Sequence, residues 1–131
     1  MLFILYYLFY RHYVDDILTV FESKECAMQF FNWLNTSSNH IKFTFKQEHH
    51  GKIIFLDVEL NKADGELKTK WHMKNTNKGT YLHKSAFSQT SPKTVAIRPL
   101  IFRALKISSS ETIFKDAYEK SECIFILNGY H

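Results

Sequence analysis

Cysteine is scarce in this chain. Cys26 and Cys123 are its only two in 131 residues, and they show neither CxxC nor any other zinc-ligand spacing. One pair implies no disulfide framework, so a reducing intracellular setting is the default. No internal repeat and no low-complexity tract breaks up the sequence. The apolar run at residues 1–10 is too short to span a bilayer, and it lacks the basic flank and small-residue cleavage site of a secretion signal. These absences point away from secretion and from the membrane, toward the nucleus or cytoplasm. Burial as a core strand accounts for the run better.

What is present argues for a packed protein. Aromatic residues make up 16% of the chain, 12 of them Phe, which excludes a disordered chain. The length suffices for one domain with a real core or for two small pieces. A formal net charge of +4 and a pI of about 9.0 are compatible with a polyanionic partner and equally with an ordinary, slightly basic domain.

The chain is organised around Tyr13-Val14-Asp15-Asp16. Apolar runs at residues 2–9 and 17–21, rich in β-branched and aromatic residues, flank it and read as buried strands. Two acids between two strands are most simply the tip of a hairpin, carboxylates in solvent and flanks buried. Neighbouring anions repel, and desolvating them is costly. A hard cation such as Mg²⁺ resolves this, because it prefers carboxylate oxygens and leaves positions open for phosphate oxygens. Asp15 and Asp16 are therefore candidate metal ligands and catalytic residues for phosphoryl transfer. Asp is also a common turn former, and that reading needs no metal.

Downstream, Ser23 is placed to cap a helix carrying Cys26, Ala27, Phe30, Phe31 and Leu34 on one stripe, ended by the polar stretch 35–39. Residues 41–48 alternate as a strand, with Ile41, Phe43 and Phe45 on one face. His49-His50-Gly51-Lys52 is expected to be a solvated turn. The alternation predicts a single strand over residues 53–60, with Ile54, Leu56, Val58 and Leu60 buried and Phe55, Asp57 and Glu59 opposite. Asp64-Gly65 is a hairpin turn leading into a strand at 66–74. That strand sets Leu67, Thr69, Trp71 and Met73 against Lys68, Lys70, His72 and Lys74. The basic face suits either cross-strand charge pairing or a stripe that tracks a nucleic-acid backbone.

The polar loop at 75–80 is the expected boundary. Beyond it the apolar period becomes helical. Ser91-Pro92 is a helix start and Pro99 an expected break or kink, followed by a stripe of Leu100, Ile101, Ala104 and Leu105. Ser108 and Glu111 have capping-box spacing at the head of a last helix. That helix carries Ile113, Phe114, Ala117, Tyr118, Ser121 and Ile124 on one side and closes at Asn128-Gly129. Two or three short helices make a small helix-turn-helix-like unit.

Several of these landmarks stand in a familiar order: Tyr13-Val14-Asp15-Asp16, Phe55-Leu56-Asp57-Val58, Asp64-Gly65, Leu67-Lys68-Thr69, Tyr81-Leu82, Arg103-Ala104 and Asn128-Gly129-Tyr130. Over nearly its whole length the chain resembles the C-terminal half of reverse transcriptases of Penelope-like and related animal retroelements. The resemblance implies an α+β fold. Residues 1–75 would form the C-terminal part of a polymerase palm, an antiparallel sheet with the catalytic hairpin and one covering helix. Residues 81–131 would form the helical region that follows it. It implies Mg²⁺, or Mn²⁺, held by Asp15 and Asp16, with Tyr13 and Val14 flanking the primer end. RNA template and DNA primer would be the partners. Phe55 to Val58 resembles the segment that supports the primer.

The departures shape the expectation further. Two-metal transfer needs another carboxylate, which in the family lies upstream, and residues 1–12 contain no Asp or Glu. Lys74-Asn75-Thr76 stands for the family's Lys-Pro-Thr, Ser91-Pro92 for His-Pro, and Gly129-Tyr130-His131 for Gly-Tyr-Pro. The chain is thus expected to be a fragment or decayed copy, inactive as a polymerase by itself. The competing classes are a non-catalytic nucleic-acid-binding module using Lys68, Lys70 and Lys74, and a remnant without selected function.

Overall fold

The computed structural model describes residues 7–87 and 90–130, without side chains for residues 90–97. The chain is α+β, with two antiparallel sheets and three helices among the described residues. It divides into two compact units, Met1–Gln47 and Glu48–His131. The division falls at 47/48 and not in the loop at 75–80. The change of period at that loop marks a change of secondary structure inside one unit, because the strands before it and the helices after it share a core.

The first unit opens with a two-stranded hairpin, β1 (Phe9–Tyr13) and β2 (Asp16–Val20). Of the expected first strand, residues 2–6 lie outside the described residues, and β1 begins where that expectation ended, at Phe9. Helix α1 (Lys24–Ser37) follows, capped by Ser23, whose hydroxyl accepts from the Cys26 N–H at 3.2 Å. The Glu25 backbone N–H, and then the Ser23 side chain, hold the Glu25 carboxyl below its ordinary pKa. At the other end Asn35, Thr36 and Ser37 hydrogen-bond back to carbonyls of the preceding turn. Such bonds compete with helix continuation, and the helix ends there.

Residues 41–48 do not form a strand. Their sequence alternates correctly, but a strand requires a ladder, and none of them pairs with another described strand. The Asn35 side chain substitutes for one rung: its Oδ1 accepts from the Phe43 N–H at 2.7 Å, and its Nδ2 donates to the Phe43 carbonyl at 3.3 Å. Phe31 packs on Phe45, ring centroids 5.5 Å apart, and Phe21 on Phe30 at 5.4 Å. Even so, no described side chain of this unit is fully buried; Ile41 remains 56% exposed and Phe45 43%. The strands flanking the acidic tip are likewise exposed or half-buried, contrary to the expectation of buried flanks. Among the described residues no third strand joins this hairpin, and two strands alone have little apolar surface to cover them.

The second unit holds the buried core. Strands β3 (Lys52–Phe55), β4 (Val58–Ala63) and β5 (Glu66–Trp71) form an antiparallel meander in that order. The single strand expected over residues 53–60 is in fact two. Phe55 pairs directly with Val58, so Leu56-Asp57 is a two-residue turn. The reversal changes which residues share a face. Ile53, Phe55, Val58, Leu60, Thr69 and Trp71 lie on one side; Lys52, Ile54, Glu59, Asn61, Lys68 and Lys70 lie on the other. Asp64-Gly65 makes the expected hairpin turn, with φ of 54° and 77°, the type I′ pattern.

Helices α2 (Thr90–Ile107) and α3 (Glu111–Leu127) cover the first of those faces. Trp71 is buried with Leu100, Ala104, Ala117 and Ile124, and Met73, Tyr81, Ile107, Phe114 and Phe125 pack around them. Helix α2 runs unbroken through Pro99, where a break was expected. Proline removes one N–H from the ladder. Burial of Leu100 and Ala104 immediately beyond it holds the helix together. Ser110, and not Ser108, caps α3: its hydroxyl accepts from the Ile113 N–H, whereas Ser108 bonds back to the Ala104 carbonyl and closes α2. The turn between the helices is fastened to β5. The Thr69 hydroxyl donates to the Ile107 carbonyl, the Thr69 N–H to the Ser109 hydroxyl, and the Ser109 N–H to the Thr69 carbonyl.

Candidate functional site

The acidic hairpin has a tight tip. Tyr13 pairs with Asp16, so Val14-Asp15 is a two-residue turn. Val14 has φ of 53°, while Asp15 is not at positive φ, the pattern of a type II′ turn. Glycine normally occupies the first position of such a turn; a β-branched residue there is strained, at a cost of about 1–3 kcal/mol. Strain of this kind persists only where the surroundings impose it, and it concentrates at functional sites.

The register places Tyr13, Asp16, Arg11, Leu18, Phe9 and Val20 on one face of the hairpin. Arg11 is thus on the same side as Asp16 yet does not neutralise it. Its guanidinium lies 4.8 Å from the centroid of the Phe9 ring and donates to the Tyr10 carbonyl at 2.9 Å. Asp15 and Asp16 are exposed, and among the described residues neither carboxylate has an ion-pair or hydrogen-bond partner. Both carboxylates keep their oxygen lone pairs free for a ligand. Among the described residues no group of three or more His, Cys, Asp or Glu comes together that is able to hold a metal ion.

The basic side chains separate into two places. Lys68 and Lys70 lie on the outer face of the meander, joined by Lys52 from β3 across Asn61. Glu59 is directly opposite Lys70, but among the described residues it forms no ion pair. Lys74 lies beyond the end of β5, which stops at Trp71. There it lines an open groove of about 270 Å³ with Asp57, Trp71, His72, Met73, Thr76, Asn77 and Arg103.

Two groups here have no local sequence signal. Lys52 joins the outer face only because the Leu56-Asp57 turn reverses the chain. Arg103 reaches Asp57, Nη1 to Oδ2 at 3.4 Å, from a helix far along the sequence. A third, Asn128, was legible as a helix end but does more than cap. It is 4% exposed; its Oδ1 accepts from the Tyr81 N–H at 2.8 Å, and its Nδ2 donates to the carbonyls of Gly79 and Ile124 at 2.7 Å. Tyr130 adds a bond from its hydroxyl to the Leu82 carbonyl at 2.7 Å. The paired landmarks Tyr81-Leu82 and Asn128-Gly129-Tyr130 thereby form one fastening between the loop and the end of α3.

No protein-family model, curated protein or solved structure matches this chain. No described helix is long and apolar enough to cross a membrane.

Proposed function

We propose that the chain is part of a reverse transcriptase, an RNA-directed DNA polymerase of the Penelope-like retroelement kind, with Asp15 and Asp16 as its metal-binding carboxylates. The observation that carries this reading is the hairpin tip: two neighbouring acids in solvent, unpartnered among the described residues, on a turn strained at Val14. The donor set fits Mg²⁺, which is held by one or two carboxylates and completes its shell with water and substrate phosphates; Mn²⁺ favours the same oxygen donors. A bound ion of this kind supplies Lewis-acid activation of phosphoryl oxygens. The chain's own part is to present both carboxylates at the tip, with the exposed Tyr13 ring on the same face as Asp16 for a primer end to stack against.

Polymerisation requires a further carboxylate to share the ions, so a chain whose described residues bring no third acid to the tip is proposed to bind metal without extending a primer by itself. Calorimetric titration of the full chain with Mg²⁺ and Mn²⁺ tests this. Binding that disappears on joint Asp15→Asn and Asp16→Asn substitution is expected, with no nucleotide incorporation in a primer-extension assay. Unchanged binding in the double variant refutes the assignment.

The outer face of Lys52, Lys68 and Lys70 favours a second reading, a non-catalytic nucleic-acid-binding module. That reading expects binding indifferent to the Asp15 and Asp16 substitutions, steeply weakened by salt, and reduced by Lys68→Ala with Lys70→Ala.

A further inference from the structure

The groove at the end of β5 is rich in donors and contains one acid. Arg103, Lys74, His72, Asn77 and Thr76 all offer N–H or O–H groups, against the single carboxylate of Asp57. Its volume of about 270 Å³ exceeds a water's share of the liquid, about 30 Å³, several-fold, so a phosphate group and a flanking substituent fit inside. The Arg103 fork is only partly engaged, since one nitrogen meets one Asp57 oxygen at 3.4 Å. Both side chains are about half exposed, 51% and 48%, so the pair is weakly held and open to exchange.

The acid is held there by an unusual turn. Leu56 has φ of 54°, a region that a bulky side chain rarely adopts. The Phe55–Val58 pairing and the His72 N–H, which donates to the Asp57 carbonyl at 2.8 Å, impose that conformation. A strained tip thus presents a carboxylate to the one arginine of a groove lined otherwise by Lys74, His72, Asn77 and Thr76 and by the apolar Trp71 and Met73.

We propose that this groove is a phosphate site that Asp57 occupies from within: its carboxylate stands in for phosphate on Arg103 and is displaced when a phosphate group binds. The proposal rests on the reading of the chain as a nucleic-acid-handling protein in naming a strand phosphodiester as the ligand; a free polyphosphate has the same chemistry. Asp57 is then a positioning and competing residue that lowers affinity, opposite in effect to the groove's cations.

The experiment measures binding of a labelled 12-nucleotide RNA and, separately, of inorganic tripolyphosphate to the full chain. Asp57→Asn, which retains a good turn former, is expected to tighten binding about five-fold, the range of a half-exposed ion pair. Arg103→Ala is expected to weaken binding, and Asp57→Asn is expected to have no effect in that background. Arg103→Lys keeps the charge without the fork and should fall between. Tightening with RNA alone identifies the strand backbone as the ligand, and tightening with tripolyphosphate as well identifies a general polyphosphate site. Equal or weaker binding by a folded Asp57→Asn chain, or no loss in Arg103→Ala, overturns the proposal. If Asp57→Asn does not fold, Asp57→Ser takes its place. Loss of metal binding in the Asp15/Asp16 variant together with an inert Asp57 sinks this inference alone. Tightened tripolyphosphate binding with no metal binding at all sinks the polymerase reading and leaves the groove standing.

Discussion

Replacing Asn128 by alanine tests the fastening that closes the second unit. The variant removes three side-chain hydrogen bonds, to the Tyr81 N–H and to the carbonyls of Gly79 and Ile124. The Ile124 carbonyl keeps a backbone donor, the Asn128 N–H at 3.2 Å, so two groups lose the partner Asn128 supplied. Each is expected to cost about 1–1.5 kcal/mol, and the void left by the amide about 1 more, for a total of about 3–4 kcal/mol. For a compact unit of this size, at about 4–8 °C per kcal/mol, that lowers the melting temperature by roughly 12–32 °C. Trp71, 8% exposed in the same core, reports the transition by fluorescence. A Trp33→Phe background removes the other tryptophan, which lies in the first unit. A loss under about 1 kcal/mol would refute the reasoning, because the amide would then be exchangeable for water and not a buried fastening.

Two further substitutions probe backbone strain. Val14→Gly should stabilise the acidic hairpin by about 1 kcal/mol, the relief of positive-φ strain less glycine's chain entropy. Slower hydrogen exchange at the Leu8 amide, bonded to the Val20 carbonyl at 2.8 Å, is the readout, and faster exchange counts against it. Gly129→Ala places a Cβ 2.7 Å from His83 Cε1 at a φ of 78° and should destabilise by at least about 1 kcal/mol. Combining it with His83→Ala should recover the steric part and leave the backbone part, as read by urea unfolding; full recovery would show that φ is immaterial there.

Much of the fold was legible because its signals are local. The acidic turn, the Asp64-Gly65 hairpin, the Ser23 cap and the Asn128-Gly129 helix end each depend on a few adjacent residues, and each occurs where those residues stand. Misreadings arose where a local pattern was satisfied but its distant partner decided the outcome. Alternation at 41–48 is correct for a strand, yet no described strand pairs with it. Ser108 has the spacing of a cap, but Ala104 takes its hydroxyl and Ser110 does the capping. Pro99 looks like a break, but the core on Leu100 and Ala104 carries the helix past it. Leu56 carries no turn signal, so residues 53–60 read as one strand; Val58, Leu60 and Glu59 take the faces expected of them, whereas Ile54 and Phe55, before the turn, are exchanged.

By itself, then, the sequence determined the α+β class, the positions of most turns and helix ends, and the pair of acids at a hairpin tip. Only the tertiary structure decided that Ile53 and Phe55, and not Ile54, share a face with Val58 and Trp71, that Lys52 joins Lys68 and Lys70, and that Asp57 meets Arg103. The reason is physical. Backbone conformation answers to side chains one to four positions away, whereas register and ion pairing answer to groups brought together by a core that forms across the whole unit.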